Sequence, residues 1–248
     1  MKPSHFLVFL GAAAALSSCN SKQENAASNA PLKITPVPPP KGGDWTQMVS
    51  MTPQGGFVMG NPDAKVKLIE IGALTCPHCR AFDETGVPAL VGNYVKSGQV
   101  SWEFRTYLLH GLDLPAALIA RCNGANSFFP LARALYHDQE TWVGKAMAVP
   151  QAQMDQLQTL PINQQFVTLA KLVGLPEWAA ARGVPQAKTN QCLSDQNAIN
   201  QLVQQTSDVT TQYPDFAGTP AFIINGKMLP KEVATWATLE PKLREAVS

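Results

Sequence analysis

Apolar positions divide the chain into stretches of different period. The run from Phe6 to Leu16 follows Lys2 and His5. It is shorter than the ~20 residues a spanning helix requires and matches the core of a secretory signal. Residues 20 to about 43 are rich in Asn, Ser, Ala, Gln and Pro, ending in Pro36-Val37-Pro38-Pro39-Pro40-Lys41-Gly42-Gly43. Such a composition cannot bury a core, and its prolines favour an extended spacer. Order is expected from Trp45. Trp45 to Met51 and Phe57 to Met59 flank Pro53-Gln54-Gly55-Gly56 as the arms of a hairpin would. Val66 to Ala73 is a short apolar run of the kind buried in a sheet, with Glu70 in its middle. A helical stretch follows from about His78 to Lys96, kinked at Pro88. The β-branched and aromatic residues of Val100 to Leu109 then predict a second strand of this type.

From Asp113 to about Thr210 the pattern yields helical pieces alone. Asp113 is placed to cap Leu114 to Asn123, which Gly124 closes, and Phe129 to His137 is a second piece. Ile162 to Val173 ends at Gly174, Pro176 to Arg182 ends at Gly183, and Asp195 is placed to cap Gln196 to Val209. The β pattern returns at Ala221-Phe222-Ile223-Ile224. Asn225-Gly226 makes a two-residue hairpin turn, Met228-Leu229 begins the return strand, and Thr235 to Val247 is a closing helix. The order is β-β-α-β, a helical block, then β-β-α. It predicts the α/β class: a small mixed sheet covered by helices, with an all-helical insertion. The expected divisions are 44–111 and 211–248 for the two parts of the sheet domain and 112–210 for the insertion.

Composition narrows the function classes. Of 248 residues 45% are hydrophobic and the net charge is +1, with basic residues scattered, so neither a nucleic-acid stripe nor an acidic tail is present. Five cysteines make an odd count, which in an exported protein asks for an explanation. Leu16-Ser17-Ser18-Cys19 resembles the lipobox of bacterial lipoproteins. That implies a signal peptide over 1–18, a lipid on Cys19, a tether over 19–43, and a periplasmic protein bound to a membrane by its anchor alone. Ordinary secretion with cleavage nearby and no lipid is the alternative. Setting Cys19 aside leaves Cys76, Cys79, Cys122 and Cys192, enough for two disulfides in an oxidising compartment.

Cys76-Pro77-His78-Cys79 stands where a buried strand turns into a helix. The thiolate is the reactive form of cysteine, so a redox site must lower a thiol pKa below its free value of about 8.5. Unpaired N–H groups and the helix dipole favour negative charge at Cys76, and Pro77 suits the first helical turn. His78 is placed to add an N–H or a positive charge. Cys79, one turn on, can donate to the Cys76 thiolate and close a disulfide. A zinc knuckle is the structural alternative, but four-coordinate zinc needs a second ligand pair. Cys122 and Cys192 stand singly, and His110 and His137 have no close partner. The expected chemistry is thiol–disulfide exchange, without metal or cofactor.

Gly60-Asn61-Pro62-Asp63, the strand ending in Cys-Pro-His-Cys, and Gly218-Thr219-Pro220-Ala221-Phe222 resemble the DsbA-like family of thiol:disulfide oxidoreductases over about residues 57–248. The resemblance implies a thioredoxin-like fold with a large all-helical insertion. It implies a cis Pro220, with Thr219 offering its backbone to a bound substrate strand, and a buried Glu70 relaying protons to Cys79. The family pairs that carboxylate with a lysine from the next strand. No clean match exists here, and Arg105 or Lys96 would have to substitute. Thr219 replaces the valine of DsbA; threonine there is common in disulfide isomerases and in other DsbA-like groups. Cys122 and Cys192, both expected to be buried, are either unrelated core thiols or a disulfide stapling the insertion; the oxidising compartment favours the disulfide, and some alphaproteobacterial members show a similar pattern. His110 is a loop histidine or lines the substrate groove. Phe128, Phe129, Trp142 and Trp178 are expected in the core. The family further implies a monomer that donates its disulfide to reduced exported proteins and is reoxidised by a quinone-linked membrane oxidase. An isomerase or reductase kept reduced is the alternative direction, and a metal-binding envelope lipoprotein a more distant one.

Overall fold

The computed structural model describes Met1 and residues 34–248. The expected signal peptide, Cys19 and the tether as far as residue 33 lie outside the described residues. Six strands form one sheet: β1 (Val49–Met51), β2 (Phe57–Met59), β3 (Val66–Gly72), β4 (Val100–Thr106), β5 (Ala221–Ile224) and β6 (Lys227–Met228). Their spatial order is β1-β2-β4-β3-β5-β6. The central pair β3 and β4 is parallel, with Glu70 opposite Phe104, and every other pairing is antiparallel. A parallel pair needs a crossover. Here it is α1 (Pro77–Thr85), α2 (Val87–Ala89) and a π-helical segment, Leu90–Val95. The bend expected at Pro88 is thus a change of helix type just after it. Asn225 and Gly226 both have positive φ, as a tight hairpin turn between β5 and β6 requires.

Between β4 and β5 the described chain is helical: α3 (Asp113–Arg121), α4 (Ala125–His137), α5 (Gln139–Met147), α6 (Gln151–Gln158), α7 (Ile162–Leu172), α8 (Leu175–Ala180), α9 (Gln186–Leu193) and α10 (Gln196–Gln212). The closing helix is α11 (Trp236–Val247), with a Thr235–Thr238 capping box. Asp195 caps α10 by accepting from the N–H groups of Asn197 and Ala198. Asp113 does not cap α3 as expected. It lies inside the helix, and its carboxylate is spent elsewhere.

The helical block shares one core with the sheet. Period-two alternation sends Leu68, Glu70, Trp102, Phe104 and Phe222 to one face, and Ile71 and Ile223 to the other. On the first face Phe128 stacks on Phe57 with ring centroids 3.9 Å apart, and Phe129 packs on Trp102 at 4.6 Å. Phe82 of α1 meets Phe222 at 4.7 Å. Phe128, Phe129 and Trp142 are buried, while Trp178 is half-buried, its indole stacked under Arg182. The opposite face is smaller: Ile71, Ile223 and Val209 of α10, flanked by Tyr107 and Phe216. Truncating a buried phenylalanine costs about 3–5 kcal/mol, so Phe128→Ala would loosen insertion and sheet together.

Candidate active site

Strand β3 ends at Gly72 and a buried turn, Ala73-Leu74-Thr75, delivers Cys76 to the start of α1. Cys76 is the N-cap (φ −77°, ψ 120°) and Pro77 the first helical residue, where a missing N–H costs nothing. The sulfur faces the backbone N–H groups of His78 and Cys79 and the Cys79 thiol. Across from it is the loop before β5, where Gly218 has φ 134° and the Thr219–Pro220 bond is cis. The Thr219 carbonyl oxygen lies 3.2 Å from Cys76 Sγ, a contact that suits the thiol. The Thr219 hydroxyl is buried without a hydrogen-bond partner, and the Thr219 side chain favours the Cys76 thiolate. Thiolate-stabilising groups win, chiefly the Cys79 S–H donor, and pull the Cys76 pKa down to about 5. Cys79 is fully buried, and loss of solvent pushes its thiol well up, reinforced by the neighbouring Cys76. One sulfur is a thiolate at neutral pH and the other a thiol.

Beneath the pair lies Glu70, buried, with burial pushing its carboxyl well above the usual carboxylate range. Asp83 of α1 adds to the rise, and the Trp102 indole, donating to Glu70 Oε2 at 3.1 Å, opposes it. Asp83 is itself raised by burial and held by Arg133 at 3.2 Å. Neither expected cation reaches Glu70. Strand alternation turns Arg105 to the opposite face, where its Nε donates to Glu103 Oε1 at 2.8 Å, and Lys96 is exposed at the end of the π-helical segment. The neighbouring strand supplies a neutral N–H donor instead.

The insertion grips the active-site turn. Thr75 donates its N–H and its hydroxyl to Asp113 Oδ1 and Oδ2, each at 2.8 Å, and the His110 N–H donates to Oδ2 at 2.8 Å. Asp113 is fully buried, which raises its pKa against those three donors. Tyr136 of α4 donates its hydroxyl to the Ala73 carbonyl at 3.2 Å. Gln139, the first residue of α5, donates to the carbonyls of Leu74 at 2.7 Å and Cys76 at 3.0 Å. Four consecutive residues, Ala73 to Cys76, are held from three helices.

The thioredoxin family matches residues 52–241, well over half of the chain. The chain belongs to the thioredoxin family. Within that family it is 27% identical over 174 residues to a candidate protein-disulfide oxidoreductase of Rickettsia bellii, covering 70% of this chain and 58% of that one. A counterpart from Rickettsia felis is 28% identical over 171 residues, 68% of this chain and 53% of that one. The chain thus spans little more than half the length of these curated relatives. The solved protein-disulfide isomerase of Novosphingobium aromaticivorans superposes with a TM-score of 0.73 at 29% identity, covering 77% of this chain and 96% of that chain. Alpha-DsbA1 of Wolbachia pipientis shares the fold, with a TM-score of 0.62 at 20% identity over 79% of this chain and 93% of that one.

In this thioredoxin-family chain the fold gathers Glu70, Cys76, Cys79, Thr219 and Pro220 at one place. Pro77 and His78 are exposed on its rim, and His110 is exposed on the loop tied to Asp113. Cys122 and Cys192 form a disulfide, with Cα atoms 5.6 Å apart, and both are half-buried where buried positions were expected. Trp102, Tyr136 and Gln139 join the site without a local sequence signal that marks them. Trp102 looked like one more strand aromatic, and a glutamine opening a helix carries no chemical signature. Asp113 was visible, but as a helix cap.

Proposed function

We propose that the protein is a DsbA-like thiol:disulfide oxidase that donates the Cys76–Cys79 disulfide to reduced exported proteins. The observation carrying this reading is the split between the two sulfurs: Cys76 lowered to about 5 and Cys79 raised by burial. A thiolate stabilised in the reduced form makes the disulfide a stronger oxidant. A substrate thiolate attacks Cys76 Sγ; the Cys76–Cys79 bond breaks, and Cys79 leaves with the electron pair and takes a proton. Glu70, whose carboxyl burial pushes well above the usual carboxylate range, is the candidate acid. A second substrate thiolate then attacks the substrate sulfur of the mixed disulfide. It releases Cys76 as a thiolate and leaves two electrons in the dithiol.

Thr219 and its cis proline offer backbone to an extended substrate segment, in the manner of an added strand. Reoxidation falls to a quinone-linked membrane partner, and a lipid on Cys19 holds a monomer at the periplasmic membrane surface. The divisions at 44–111, 112–210 and 211–248 belong to the same reading. A second direction, isomerase or reductase, is favoured by Thr219 and by the isomerase name of the Novosphingobium structure. A zinc site on the motif draws no support from Cys122 and Cys192, which are bonded to each other. The reduction potential against glutathione tests the direction. A value near −120 mV fits the oxidase and one near −270 mV a reductant. Recovery of Cys76 and Cys79 mainly as a dithiol from cells would sink the oxidase.

A further inference from the structure

Pro77 leaves the Cys76–Pro77 peptide without an N–H, so the Cys76 carbonyl is that peptide's one polar handle. The same carbonyl opens α1, accepting the Arg80 N–H at 3.2 Å. The orientation of this peptide therefore decides whether the N–H groups of His78 and Cys79 point at the sulfur. Gln139 takes hold of that handle. The residue is 4% exposed, and its side-chain amide nitrogen spends its two hydrogens on Leu74 and Cys76. Asp113 holds Thr75, the residue between them, through other atoms. A glutamine this deep could have satisfied its donors on its own helix or on solvent at the rim; instead both go to one turn, 63 and 65 residues away in sequence.

We propose that Gln139 is a positioning residue for the Cys76 nucleophile, its amide fixing the peptide that aims the first N–H groups of α1 at the sulfur. The inference deepens the exchange reading above and rests on it. Gln139 touches no substrate and moves no proton. It acts through the turn.

The test is the ionisation of Cys76 in the reduced full-length protein, read by thiolate absorbance and by alkylation rate against pH. Gln139→Met keeps length and approximate volume and removes both donors. Gln139→Glu keeps the shape and sets a carboxylate against two carbonyl oxygens. The parent is expected to titrate at about 5. Gln139→Met is expected to raise the midpoint by about one pH unit, read as alkylation about tenfold slower below the parent midpoint. Gln139→Glu raises it further. Thermal unfolding of the same samples isolates a merely structural role: variants that melt earlier yet titrate with the parent overturn the proposal. If Gln139→Met does not fold, Gln139→Glu decides by the same criterion. A parent that titrates in the ordinary thiol range overturns the exchange reading instead, so the two failures are distinct.

Discussion

The two cysteine pairs occupy opposite electrical environments. Cys76 caps the N-terminus of α1 and faces N–H groups. Cys122 is the C-cap of α3, and Cys192 is in the last turn of α9. Their sulfurs lie 3.5 Å from the Lys188 carbonyl oxygen and 3.7 Å from that of Cys122, respectively. Helix N-termini favour negative charge and C-termini disfavour it. The fully reduced state of a pair is favoured where one of its sulfurs is stabilised as a thiolate. The fold stabilises that charge on Cys76, and helix C-termini oppose it at Cys122 and Cys192. Which end of a helix a cysteine occupies thus separates a reactive pair from a staple.

Breaking each pair gives the largest contrast. Cys76→Ser is expected to abolish thiol–disulfide exchange in an insulin-reduction assay. Joint replacement of Cys122 and Cys192 by serine keeps exchange and lowers unfolding free energy by about 2–4 kcal/mol, since the bond closes a long loop. Loss of exchange in the second variant would remove the distinction. Next in size is the difference in potential. Stepwise reduction with thiol tagging should open Cys76–Cys79 first, with Cys122–Cys192 resisting to below about −300 mV. Simultaneous opening would place both pairs in one environment.

The pH dependence is finer. Cys76 is lowered from the ordinary thiol range to about 5, so its thiolate stabilises the reduced fold fully above the unfolded pKa. That stability is lost as pH falls through the folded value. Between that value and the raised titration of Cys79, two-electron reduction takes up one proton. The potential should fall by about 30 mV per pH unit there and by about twice that below the Cys76 midpoint. A single slope throughout would contradict the split. Thr219→Val is the smallest change. Without the hydroxyl the Cys76 midpoint rises by a few tenths of a unit, measured by the same titration; a fall would reverse the role given to that group.

Local chemistry was readable and long-range chemistry was not. The Asn225–Gly226 hairpin and the Asp195 cap each rest on neighbours a few residues apart, and the strands and helix of the βαβ unit each follow their own local pattern. So does the redox motif, whose strand-to-helix setting was sufficient to anticipate a lowered thiol. Helices α5, α6 and α9 escaped notice because their apolar stripes are weak. Gln139 and Tyr136 act on residues more than sixty positions earlier, and no local pattern encodes such a contact. Asp113 shows the ambiguity most clearly. A carboxylate at a helix start can bond its own first turn or a distant loop, and burial beside Thr75 decided for the loop.

The grip on Ala73 to Cys76 also carries a timetable. Cys76 meets Gln139 across 63 residues and the Thr219 carbonyl across 143, separations that place both contacts late in chain assembly. A chain emerging from its N-terminus carries Cys76 together with its nearest thiolate-stabilising neighbours, the N–H groups of His78 and Cys79 and the Cys79 thiol, long before the contacts from Gln139 and Thr219 arrive. The active-site turn is therefore clasped last, by chain synthesised well after the motif it holds.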